Sequence, residues 1–115
     1  MRTLNDYFIS GTMTDVGTAG SIYINVPDRG KIIKIISVLH GAITVADSLI
    51  TTAINGTTVT GGGMTIAYTG SAAGNVTTAE PTAANNVEEG DYIKITSDGG
   101  ASSVAAITFT VIIRR

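Results

Sequence analysis

Apolar residues along this chain recur mostly at every second position, the period of a strand with one buried face. Ile22, Ile24 and Val26 alternate with Ser21, Tyr23 and Asn25, and Pro27 ends the run. Asp28-Arg29-Gly30 then turns the chain into its longest apolar stretch, Lys31 to Ile43. Strict alternation there puts Ile33, Ile35 and Leu39 on one face and Ile32, Ile36 and Val38 on the other. A strand apolar on both faces is expected to be central or covered twice. Leu49 to Ile54 forms another strand, closed by Asn55-Gly56, the dipeptide suited to the positive φ angles of a type I′ hairpin, so that Thr57 to Thr60 pairs back. After Gly61-Gly62-Gly63 the alternation resumes with Met64, Ile66 and Tyr68 on one face. The segment 70–86 is Ala, Thr, Gly and Asn, and reads as a long loop or a weak edge strand at 75–78. Tyr92 to Thr96 and the final run, with Ile107, Phe109, Val111 and Ile113 on one face, complete the series.

No window carries a helical period, and β-branched residues dominate. About eight strands at roughly ten-residue spacing indicate an all-β, two-sheet β-sandwich, with a jelly roll fitting that number better than an immunoglobulin topology. At 115 residues a single domain spanning 1–115 is expected.

Composition narrows the function more than the fold. Hydrophobic residues are 43% of the chain but aromatics only 5%, so the core is built from Ile, Val, Leu and Ala. Charged residues are 14%, with a net charge of −2, which argues against a nucleic-acid binder relying on many Lys and Arg contacts to phosphate. A small domain usually carries more charge for solubility, so part of the neutral surface is expected to be covered by a partner or by further copies. The start, Met1 to Asp6, lacks the apolar core of a signal peptide, and no run reaches the length of a membrane span. Neither export by that route nor a membrane partner is expected.

Reactive chemistry is scarce. Without Cys there is no disulfide or thiolate metal site, and the single His, His40, cannot alone make a usual zinc site. No G-x-S-x-G turn exists to present a nucleophilic Ser. Asp47, Glu80, Glu88, Glu89, Asp91 and Asp98 lack the D-x-D-x-D-G spacing of a calcium loop and read as solvated turn carboxylates. Neither Glu88 with Glu89 as a glycosidase pair nor Gly61 to Gly63 as a phosphate loop fits its context, and the sequons at Asn55 and Asn75 carry no weight without export. Tyr7, Tyr23, Tyr68 and Tyr92 could form a sugar-stacking platform, but with no Trp they read better as half-buried strand residues. No enzymatic activity, cofactor or metal is expected.

The stretch Gly30-Lys31-Ile32-Ile33-Lys34-Ile35-Ile36-Ser37-Val38, the segment Leu49 to Asn55, Val87 to Ile95, Ser97-Asp98-Gly99-Gly100 and the Ile/Thr/Val-rich last strand together resemble the small head decoration, or cement, proteins of tailed bacteriophages. The resemblance runs from about Gly30 onward. It implies a β-sandwich that forms homotrimers, is made in the host cytoplasm, and sits on the outer surface of the virion capsid against the major capsid protein. In that role residues 1–8 are expected to serve as a docking arm, with Arg2, Leu4, Tyr7 and Phe8 as its contacts, against the alternative of a frayed terminus or an ordinary first strand. The competing function is a glycan- or receptor-binding module of a head spike or tail fibre.

Overall fold

The computed structural model describes residues 6–101 and 104–115. Among these residues there is no helix, and ten strands form two antiparallel sheets packed face to face. In sheet A the order is β1 (Asp6–Met13), β10 (Ile107–Arg114), β3 (Gly30–Leu39) and β7 (Val76–Ala79), with β8 (Asn86–Val87) also paired to β3. In sheet B it is β2 (Gly20–Asn25), β9 (Tyr92–Ser97), β4 (Ser48–Ile54) and β5 (Thr57–Thr58), with β6 (Met64–Ile66) also on β4. The chain changes sheets at most connections, in the manner of a jelly roll, and the β4–β5 hairpin is a local exception. Two strands more than the eight expected are present.

The first of these is β1. Tyr7, Ile9 and Met13 turn toward sheet B, but the position between the last two is Gly11. A Cβ at Gly11 would stand 3.1 Å from the Ile24 side chain, so the strand gives up one apolar position to let the sheets approach. The missing side chain is what interrupts the strand's pattern in the sequence. The second, β8, is only two residues long. Its neighbour Asn85, 4% exposed, exchanges bonds with Ile32: the Ile32 amide donates to the Asn85 carbonyl at 2.8 Å, and Asn85 Nδ2 donates to the Ile32 carbonyl at 2.6 Å.

Strict alternation fails in β3. Val111 pairs with Ile35 and Ile112 with Lys34, but Ile113 pairs with Ile32, so Ile33 is an extra residue in a β-bulge. The bulge shifts the phase by one: Ile32, Ile35 and Leu39 all enter the core, while Ile33 is only half buried. The expected grouping of Ile33 with Ile35 and Leu39, and of Ile32 with Ile36 and Val38, therefore fails at these two positions, where Ile32 takes the core place. The second apolar face of β3 persists as Ile36 and Val38.

Elsewhere the patterning is realised directly. Ile93 and Ile95 of β9, and Ile107, Phe109, Val111 and Ile113 of β10, are fully buried, and Phe109 is the largest side chain so enclosed. Asn55 at φ 50° and Gly56 at φ 91° make the two-residue hairpin, with Ile54 opposite Thr57. Pairing stops after Thr58, because Thr60 leaves sheet B and bridges Ala83. Met64 and Ile66 are buried as expected, whereas Tyr68 lies beyond β6 and is exposed. The weak strand expected at 75–78 is β7, displaced by one residue. The loop following β1 is held from both strands below it: Ser48 and Ser97 hydroxyls donate to the Val16 carbonyl at 3.1 and 2.7 Å.

Candidate interaction surfaces

Because one face of each sheet fills the core, the outer faces carry whatever the molecule shows to others. The outer face of sheet A is assembled from cross-strand rows fixed by register. Phe8, Ile112 and Lys34 form one row, Ser10, Thr110, Ile36 and Thr78 the next, and Thr12, Thr108, Val38 and Val76 the third. Phe8 is 59% and Val76 60% exposed, and Val38 is also open. Lys34 is the one charged residue in these rows, and the remainder is aliphatic, aromatic or hydroxyl. His40 lies at the margin, its Nε2 2.7 Å from Thr108 Oγ1, a surface hydrogen bond between side chains.

Of the four residues expected to make a docking arm, the structure describes two. Arg2 and Leu4 lie outside the described residues. Tyr7 and Phe8 belong to β1, paired with Ile113 and Ile112, and so follow the ordinary-first-strand alternative. As neighbours on a strand they point to opposite faces. Tyr7 packs beside the core and its hydroxyl donates to the Asp28 carbonyl oxygen, whereas Phe8 faces outward on sheet A. Burial, reinforced by the Asp28 charge and opposed by Arg115, raises the Tyr7 hydroxyl above its ordinary pKa.

At the end of the molecule where β3 begins and β10 ends, Arg29, Lys31, Arg114 and Arg115 border an open groove of about 510 Å³, together with Asn86 and Glu88. Two of these cations are partly neutralised, Arg114 by Asp6 and Arg115 by Asp28, each at 2.9 Å. The opposite end carries Asp15, Asp47 and Asp98 in turns. Their carboxylates accept from the backbone amides of Gly17, of Tyr68, and of Leu49 and Gly100 respectively. Asp47 and Asp98 thus shape turns, as expected of turn carboxylates, and Asp15 does the same in the loop after β1. No group of three or more His, Asp or Glu suited to a metal occurs among the described residues. No helix of the described residues is long and apolar enough to cross a membrane.

Sheet B has a different outer face. Tyr23 lies opposite Lys94, and Asn25 opposite Tyr92, so both tyrosines come together although 69 positions separate them. Their ring centroids are 5.7 Å apart at an interplanar angle of 62°, with Lys94 Nζ 5.8 Å from the Tyr23 centroid. Sequence reasoning treated the four tyrosines as scattered. The signal that would have paired these two is register, since Ile24 and Ile93 are both core positions one residue from a tyrosine.

These features define the chain as an antiparallel β-sandwich with two chemically distinct outer faces. No family model matches the sequence, and no curated protein matches it. Solved structures do share the fold. A chain in the acidic stable capsid structure of Helicobacter pylori bacteriophage KHP30 matches with a TM-score of 0.62 over 96% of this chain and 87% of that one, at 8% identity. A family 35 carbohydrate binding module from Clostridium thermocellum matches at 0.55 over 92% and 90%, with 16% identity. A ruminal GH26 endo-beta-1,4-mannanase matches at 0.52 over 91% of this chain but 19% of its own, with 11% identity. At such identities the likeness is one of fold.

Proposed function

We propose that this protein is a non-enzymatic structural component of a phage virion, a decoration protein that docks on the capsid exterior and bridges major capsid protein subunits as a homotrimer. The observation that carries the reading is the outer face of sheet A across its three rows from Phe8 to Thr12, where Lys34 is the one charge and Phe8, Val38 and Val76 are exposed among threonines, with the Asp6–Arg114 ion pair bounding the face at one end. Such a face gains by covering, because aliphatic area is removed from water and few charges must be desolvated. The fold likeness to a phage capsid chain across nearly the whole of both chains is in keeping with this role.

Stabilisation in such a system is a linkage effect. Contacts that exist only in the assembled shell lower its free energy relative to the dissociated state. A trimer multiplies weak individual contacts, since each subunit after the first meets its site at high local concentration. The protein needs no reactive group for this work.

The test is co-sedimentation with expanded empty heads that lack the protein. Wild-type protein is expected to pellet with heads, and Val38→Glu, which places a carboxylate beside Val76 on this face, to remain in the supernatant. Failure of the wild type to bind, or binding unchanged by Val38→Glu, contradicts the proposed surface.

A further inference from the structure

We propose that the outer face of sheet B binds a saccharide bearing carboxylates, with a sugar ring seated against the paired rings of Tyr23 and Tyr92 and its acid group met by Lys94. The inference rests on the arrangement of these three side chains and is independent of where sheet A docks. Tyr23 is 65% and Tyr92 40% exposed, although large aromatic side chains are worth most when covered. Set at 62°, the two rings form an open corner instead of packing flat on each other. A pyranose has one face rich in C–H bonds, which lies on an aromatic ring, and an equatorial rim of hydroxyls, which seeks hydrogen bonds. The corner offers both: exposed aromatic ring surface and two phenolic hydroxyls.

The main chain beneath the corner is tied on both sides. Tyr92 opens a strand paired on both sides, and its amide donates to Asn55 Oδ1 at 3.1 Å, while Asn55 Nδ2 donates to Asp91 at 2.9 Å. Tyr23 takes its place on the face from its register with Lys94.

Two observations choose the ligand class. The next rows of the face are hydroxyl, with Ser21 Oγ 2.8 Å from Thr96 Oγ1 and Thr51 beyond, and the exposed aliphatic side chain of this face, Leu49, lies at its other end. A protein contact would want a larger apolar centre, which sheet A has and sheet B lacks. The second observation is Lys94. Its ammonium leans over the Tyr23 ring and makes no salt bridge among the described residues, leaving a cation beside the corner for an acidic sugar.

Affinity electrophoresis in gels containing polygalacturonate, with dextran as the neutral counterpart, tests this directly. Tyrosine fluorescence gives a second readout, because the chain has four Tyr and no Trp. Wild-type protein is expected to be retarded by polygalacturonate more than by dextran. Tyr23→Ala with Tyr92→Ala should weaken that retardation about tenfold, the loss of two stacking contacts, and Lys94→Gln should abolish the preference for the acidic polymer. The substituted positions are exposed or half-buried, and unchanged melting curves establish that the variants fold. No retardation by polygalacturonate, or retardation unaltered in the double tyrosine variant, overturns the proposal. Equal retardation by both polymers overturns the acidic class. A double tyrosine variant that loses head binding, from a wild type silent toward both polymers, identifies the face as a protein contact and likewise overturns it.

Discussion

Asn85 shows what a single polar residue does inside a sandwich of aliphatic side chains. Its carbonyl and side-chain amide both serve the backbone of Ile32, closing the ladder where β8 is too short to do so. Asn85→Ala leaves the Ile32 carbonyl without its side-chain donor in a buried site, and should cost about 1–3 kcal/mol in chemical denaturation. Phe109→Ala removes the largest enclosed side chain and should cost about 3–5 kcal/mol. Asp91 acts at the surface. Its carboxylate accepts from Asn55 and from the Glu88 amide, and these bonds hold it below the usual carboxylate range. A group whose folded pKa is depressed contributes stability above its unfolded pKa, near about 4, and loses it as pH falls through the folded value. Melting temperature should thus fall on acidification below about pH 4, and part of that fall should vanish in Asp91→Asn. An acid response identical in the variant would contradict the assignment.

At the scale of elements, the hairpin and the bulge mark how far a sequence pattern reaches. Asn55-Gly56 carries its own conformational preference, so β4–β5 was legible locally, as were β9 and β10, whose inward positions are uninterrupted Ile, Val and Phe. Gly56→Val places a β-branched residue at φ 91° and should destabilise by more than about 1 kcal/mol, measured by denaturant midpoint. The bulge at Ile33 was not legible, because Ile32, Ile33, Ile35 and Ile36 are chemically equivalent and the phase is set by Ile113 on a strand 80 positions away. β1 was legible only as an alternative to an arm, for a related reason: Gly11 interrupts its inward positions and reflects the proximity of Ile24, a tertiary fact. The candidate surfaces divide in the same way. The second apolar face of β3 was visible in the sequence, whereas the Tyr23–Tyr92 corner needed the register of β2 on β9.

Across the whole molecule, the two outer faces differ in chemistry, one aliphatic and hydroxyl, the other aromatic and hydroxyl with one ammonium. In the proposed role sheet A is covered by the shell and sheet B stays open to the medium. The low charge of the chain, 14% of residues, fits a molecule that does not work alone. Self-association follows from the trimeric proposal and is checked by multi-angle light scattering, which should give three times the chain mass; a monomer at high concentration would contradict it. The central claim, that sheet A clamps capsid subunits, is tested most directly by the temperature at which DNA-filled heads rupture. Heads carrying the wild-type protein should rupture at a higher temperature than bare heads, while heads mixed with folded Val38→Glu or Val76→Glu protein should rupture with the bare ones. Equal protection by wild type and variants, or no protection by the wild type, would contradict the account.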